Sequence, residues 1–395
     1  MKTTAITRRL SGLGGAKWSV HFKAVQRIAE GHDVIQLTIG EPDIPTSPNL
    51  IEAACDAMRQ GRTTYSKGEG EDGLRDALAE RYGARIGRPV SRAQIMCFPG
   101  TQTALFTVLM GVAEAGDEVL VGDPMYATYE GVVRASGADL VPVPLRPENG
   151  FRIQATDIAA RITPRTRAIL LNTPHNPTGA ILTGEDIDAL GALALEHDLW
   201  IISDEVYDEL IYDQTKFVSP LSSAALADRT IVVSSISKSH AAPGFRSGWC
   251  VGPEDFTAAL LPLSETMLFG NQPFIADMTE LAIRDGSDVA PGMRERFAAR
   301  ARYLADRLDR ESDLKLLPPS AGMFAMINVA ATGMDGDAYA EHLLEHANVA
   351  VMPGSSFGST LTDWVRLALT VPDADIAKAC DRILAHASQL AQKSA

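Results

Sequence analysis

The sequence predicts the α/β class, with a mostly parallel sheet between helices in a large domain and a smaller α+β domain beside it. Short apolar runs of four to seven residues recur through the middle of the chain, and helical stretches separate them. The polar clusters stand where those runs end, which is where open α/β sheets place their ligands.

The first run is "QIMCF" (94–98), which leads through Gly100 into the helical "TALFTVLMGVAEAG". "EVLVGDP" (118–124) and "DLVPVPL" (139–145) follow, then "AILLNTP" (168–174), "LWIISDE" (199–205), "IVVSSIS" (231–237) and "WCVG" (249–252). Runs this rich in Val and Ile, without polar alternation, suit strands covered on both faces. Beyond about residue 285 the pattern changes to a long amphipathic helix, "GMRERFAARARYLADRLDRE" (292–311). Short strands around "GMFAMINV" and "WVRLALT" come next, and the helical "DADIAKACDRILAHASQLAQ" closes the chain. The expected division is a large domain over 49–285 and a small domain built from 1–48 with 286–395.

Composition narrows the function classes. A length of 395 residues gives ample core volume, and 46% hydrophobic with 22% charged residues suits a globular protein. The 36 basic against 50 acidic residues leave a net charge of −14, which argues against a nucleic-acid partner. Cys55, Cys97, Cys250 and Cys380 are scattered without metal-ligand spacing, so no metal site is expected and a reduced, cytoplasmic compartment is the simplest reading. The N-terminal stretch has no apolar run of a secretory signal, and no run of 18 apolar residues suggests a membrane span.

Three strand-end motifs carry the chemistry. "NTPHNPTG" supplies Asn176, Pro177 and Gly179; "SDEVYDEL" supplies Asp204, Glu205 and Tyr207; "SSISKSHAAPGFRSGW" supplies Ser235, Lys238 and Arg246. Taken singly they read as a turn, a helix cap and a surface lysine. Together they suit a pyridine cofactor bearing an aldehyde and a phosphate. A lysine amine can hold the aldehyde as a Schiff base. A buried carboxylate, Asp204, can keep the ring nitrogen protonated, and Asn176 and Tyr207 are candidates for the ring oxygen. Arg246, Ser235 and the turn of Gly100, Thr101 and Gln102 before a helix can receive the phosphate.

With these motifs in this order, the chain resembles the class I/II aminotransferases, fold-type I enzymes dependent on pyridoxal 5′-phosphate. The resemblance runs from "DVIQLTIGEPD" near residue 33 to "WVRLALT" near 370. It implies Lys238 as covalent anchor and proton carrier, Asp204 as partner of the ring nitrogen, and Asn176 and Tyr207 as partners of the ring oxygen. It places Tyr126 against the cofactor face, a position that also suits a plain core tyrosine. It implies that Tyr65 reaches the phosphate of a neighbouring subunit, hence a homodimer with shared active sites. Arg366, in an apolar strand, reads either as half of an internal salt bridge or, as the resemblance implies, as a bidentate grip on the substrate α-carboxylate. Gly40 and, similarly, Gly322 are expected to allow close backbone approach.

The implied reaction passes an amino group from an L-amino acid to a 2-oxo acid. The aspartate-using branch of the family has lysine where this chain has Gln102 and a small hydroxyl residue where it has Trp18. Trp18, His21 and Phe22 suggest an aromatic cleft entrance, or simple packing of the N-terminal segment. "PMYATYEGVVRASGADLVPVPLRPENGFR" is similar to bacterial arginine–pyruvate transaminases, so arginine with pyruvate is the expected pair. Aspartate with 2-oxoglutarate, or a C–S β-lyase on the same fold, is the alternative. A DNA-binding regulator built on this fold lacks room before "DVIQL" for its helical module.

Overall fold

A computed structural model describes residues 2–394 apart from 12, 14, 15 and 214. After the helix Ser19–Ala29 the chain lays down a short strand, β1 (Ile35–Gln36), before entering the large sheet. That sheet is built from β2 (Ile95–Phe98), β3 (Glu118–Asp123), β4 (Asp139–Pro144), β5 (Thr166–Asn172), β6 (Trp200–Asp204), β7 (Thr230–Ser235) and β8 (Gly248–Val251). Their order is β2-β8-β7-β6-β5-β3-β4, and β8 alone runs against its neighbours.

The unbroken apolar runs follow from burial on both faces. Along β3, Val119 and Val121 join one core with Leu170, Ile202 and Val233, while Leu120 turns to the opposite side with Ile169 and Ile201. The helices Thr101–Val112 and Glu254–Leu268 cover the first face through Leu105, Leu109, Phe256 and Leu260. Gly184–Glu196 covers the second through Ile187 and Leu190, while Leu74 and Leu78 of Asp72–Ile86 and Ile275 of Pro273–Asp285 pack on the strand edge around Ile95 and Cys97. The side-chain period of two thus sends neighbouring residues of one strand into different cores, and only the two ends of β3, Glu118 and Asp123, are charged.

Beyond the sheet come β9 (Lys315–Leu317), β10 (Phe324–Asn328), β11 (Val349–Ala350), β12 (Met352–Pro353) and β13 (Trp364–Ala368). Four of them form an antiparallel sheet in the order β12-β13-β10-β9, and β1 pairs in parallel with β11. The helices Ala290–Glu311 and Asp373–Ser394 pack on this sheet through Phe297, Leu304, Ile376 and Ile383. Along β13, Val365 and Leu367 enter that core, so Arg366 between them faces the other way, beside Met326 and Met352. Those two methionines join the core under β3 and β5, so Arg366 points toward the large sheet.

Candidate active site

Parallel register delivers the functional residues to one edge. Asn172 at the end of β5 stands opposite Asp204 at the end of β6, and Ser235 closes β7 beside them. A cleft of about 400 Å³ opens at this edge. It is lined by Lys238, Asp204, Asn176, Tyr207, Tyr126, Ser235, Thr101, Gln102, Arg246, Gly40, Arg366 and Trp18, all of them singled out from sequence.

Lys238 lies in the four-residue helix Ile236–Ser239 that Ser235 caps through its side chain. Its Nζ donates to the carbonyl of Gly40 at 2.8 Å. Burial pushes the amine down to about 8, against the pull of Glu41 and with the push of Arg366 and Arg246. Loss of solvation penalises the charged form, so near neutral pH a usable fraction of this lysine is the free base.

Asp204 is 4% exposed. The hydroxyl of Tyr129 donates to its Oδ2 at 2.7 Å, and the N–H of Val206 donates to Oδ1 at 3.2 Å. Burial pushes the carboxyl up to about 6, while both hydrogen bonds pull it down. A cation brought beside it would hold it ionised. Tyr207 is buried and interacts with Asn176, and burial raises its hydroxyl above the usual range.

Arg366 is the most unusual group in the cleft. It is 3% exposed, and its ring neighbours are Phe324 and Phe357, whose centroids lie 3.9 and 4.3 Å from its guanidinium carbon. Nη2 donates to the Thr38 carbonyl at 2.7 Å and Nη1 to Asn176 Oδ1 at 3.1 Å, while the buried Nε has no partner. Among the described residues no carboxylate pairs with it, and burial pushes it down to about 10, opposed only weakly by the neighbouring phenols of Tyr207 and Tyr126. The internal salt bridge considered from sequence is therefore absent. A buried guanidinium without a counter-ion is a site for an external anion.

A second cationic corner lies where Gly100 precedes the helix Thr101–Val112. Gly100 has φ +84°, and a Cβ there would stand 2.3 Å from Arg246 Nη2, so only glycine lets the guanidinium come this close to the helix start. Thr101 Oγ1 at that start is buried without a hydrogen-bond partner. Unpaired helix N–H groups, an orphan hydroxyl and an arginine make an anion cradle.

Other expectations are met differently. Gly40 is required by packing, since a Cβ would fall 2.1 Å from the Phe324 ring, and its carbonyl faces Lys238. Gly322 has a φ of +87°, a backbone conformation that calls for glycine on its own account. Trp18 lines the cleft and also packs on the core under β3, whereas His21 turns back to Thr38 Oγ1 at 2.8 Å and Phe22 points outward. The aromatic entrance thus reduces to Trp18. Tyr65 lies outside this chain's own cleft, 89% exposed, with its ring 6.1 Å from Phe269. Sequence reasoning missed Thr38, Glu41, Asn172, Phe324 and Tyr129, which also line the cleft. Only Glu41, within "TIGEPD" beside Gly40, stood next to a residue already singled out.

Known proteins agree with this chemistry. The chain belongs to the class I and II aminotransferases, whose family profile matches residues 32–383, and its architecture is that of the fold-type I enzymes. An arginine–pyruvate transaminase of Pseudomonas aeruginosa is 41% identical over 390 residues, covering 99% of each chain. An aspartate aminotransferase of Geobacillus stearothermophilus is 32% identical over 386 residues, covering 96% of this chain and 98% of that protein. Among solved structures, the aspartate aminotransferase of Thermus thermophilus with maleate superposes with a TM-score of 0.91 at 32% identity, covering 98% of this chain and all of that one. Among the described residues no helix is long and apolar enough to cross a membrane.

Proposed function

We propose that this aminotransferase moves the amino group of L-arginine to pyruvate, with pyridoxal 5′-phosphate held by Lys238, as a cytoplasmic homodimer whose partner subunit supplies its own Tyr65. The domain division at 49–285 against 1–48 with 286–395 belongs to the same proposal, the cleft lying between the two. The observation that carries the reading is the joint presence, in one cleft, of a depressed lysine amine, a buried carboxyl and two arginines that have no carboxylate partner among the described residues.

The residues fit the cofactor. Thr101 Oγ1, the helix N–H groups after Gly100, Ser235 and Arg246 would hold its phosphate; the orphan hydroxyl and the glycine cradle both call for an anion. Asp204 would hold a proton on the ring nitrogen, and Asn176 with Tyr207 would donate to the ring oxygen. When bound, the group supplies an aldehyde that accepts an amino group and a ring that accepts an electron pair. Arg366 binds the substrate α-carboxylate through its unpaired Nε and adjacent Nη, orienting Cα toward Lys238. The Lys238 amine, close to its free-base form, takes the proton from Cα. The aromatic faces of Phe324 and Phe357 and the Tyr207 ring exclude water around that grip, which strengthens it.

Two features favour a cationic donor side chain. Gln102 is neutral and accepts from the Thr128 hydroxyl at 2.9 Å, so this wall offers no charge to a second carboxylate. Glu41 lines the cleft as an exposed carboxylate, and Asp204, the other lining acid, is already bonded to Tyr129. The test is a donor panel with pyruvate, scored by alanine formed. Arginine as the best donor supports the reading. Aspartate as the best donor, or ammonia release without a 2-oxo acid, overturns it in favour of an aspartate aminotransferase or a β-lyase.

A further inference from the structure

We propose that Tyr129 is the positioning residue for the ring-nitrogen acid, acting on the cofactor only through Asp204. This rests on the cofactor reading above and extends it to a buried tyrosine in the inner wall of the cleft. Tyr129 begins the helix Tyr129–Ser136, is 1% exposed, and packs edge-on to Tyr126 at 5.6 Å. Its hydroxyl donates to Asp204 Oδ2 at 2.7 Å, while the Val206 N–H reaches Oδ1. The phenol has a single proton to give, and Asp204 receives it.

The carboxyl is thereby fixed in rotation about its own axis. A second tie holds its backbone: Asn172 Nδ2 donates to the Asp204 carbonyl at 3.1 Å, and Asn172 Oδ1 accepts from the Asn176 N–H at 2.8 Å. Asn176 Oδ1 in turn accepts from Arg366. Tyr129, Asp204, Asn172, Asn176 and Arg366 are thus joined in sequence by hydrogen bonds, and Tyr129 is the terminal donor at the ring-nitrogen end. Burial favours the neutral form of Asp204, and the phenol proton opposes that by stabilising the anion. A Phe ring keeps the packing against Tyr126 and removes only the proton. Asp204 then loses its orientation and part of its stabilised charge, and the ring nitrogen loses its proton more readily.

The experiment compares wild type, Tyr129→Phe, Asp204→Asn and the double variant, each loaded with ring-15N-labelled pyridoxal phosphate. In wild type the nitrogen shift should be that of the protonated ring across pH 6–9. In Tyr129→Phe deprotonation should appear within that range, and cofactor affinity and kcat should each fall about tenfold, with the donor KM changed less than twofold. In the Asp204→Asn background the same substitution should change affinity less than twofold, because a residue acting through another has nothing left to act on. An unchanged nitrogen shift in Tyr129→Phe overturns the proposal, as does an equal loss in both backgrounds. The bond is also readable in the unaltered protein as a slowly exchanging Tyr129 hydroxyl proton; its absence counts against the proposal whether or not the variants fold. Wild-type protein that takes up no cofactor would instead overturn the cofactor reading itself.

Discussion

Replacing Arg366 by methionine should separate stability from function. The guanidinium is buried without a counter-ion, and its fall from an ordinary 12.5 to about 10 puts a penalty of about 3 kcal/mol on the charged form. Methionine removes that penalty and keeps much of the volume. It also leaves the Thr38 carbonyl and Asn176 Oδ1 without their donor, at about 1–3 kcal/mol each. Loss of the contacts over Phe324 and Phe357 costs about 1 kcal/mol more for each ring. These contributions oppose one another, so the variant should unfold only about 1–5 kcal/mol more easily than wild type. Catalysis has no such compensation. A bidentate charge-assisted pair contributes about 3–5 kcal/mol, so kcat/KM for both amino acid and 2-oxo acid should fall by about 10²–10⁴. Denaturant unfolding of the cofactor-free protein and steady-state kinetics on both half-reactions read the two effects. A variant that keeps kcat/KM within threefold would refute the carboxylate role. Unfolding more than about 5 kcal/mol easier would refute the view of Arg366 as a charge held at a cost for its ligand.

Other outcomes follow from the same geometry. Uptake of pyridoxal phosphate by the cofactor-free protein should accelerate with pH about a midpoint near 8, set by burial of Lys238; a midpoint near 10.5 would contradict the depressed amine. Because the folded state disfavours the protonated lysine, the unfolded chain binds more protons between about 8 and 10.5, so this group makes stability rise with pH across that window. Gly40→Ala would push a methyl into the Phe324 ring beneath Arg366, so thermal melting should fall and the donor KM should rise severalfold; wild-type values for both would show that the ring can give way. Glu41→Gln should raise the KM for arginine about fivefold and leave that for alanine unchanged, whereas equal effects on both would remove Glu41 from side-chain recognition.

The sequence made the covalent lysine and the buried acid legible because each stands at or just past the end of a strand, whereas Arg366 stood out as a lone charge inside an apolar one. Asp204, Asn176 and Ser235–Lys238 follow apolar runs directly, and parallel register carries strand ends to one edge. The strands of the large sheet were equally plain, since burial on both faces removed any competing helical pattern from runs such as "AILLNTP", whereas the two- and three-residue strands β1, β9, β11 and β12 left no such mark. Tyr129 was hidden for a physical reason. Its role depends on its hydroxyl reaching Asp204 at the end of β6, 75 positions along the chain, and a tyrosine at a helix start is otherwise ordinary. Asn172, inside the same quoted run as Thr173 and Pro174, looked like the polar end of a strand. Its two bonds exist only because β5 and β6 stand in register. Gly322, His21 and Phe22 carried a weaker signal. A positive φ and a helix face both demand these residue types or permit them without any ligand nearby.

The covalent site can be read directly. Wild-type protein loaded with pyridoxal phosphate, reduced with borohydride and digested, should yield one modified peptide carrying the added mass on Lys238. A protein that stays unmodified, or that carries the mass on Lys17, Lys67 or another lysine while Lys238 is free, would contradict the account at its centre.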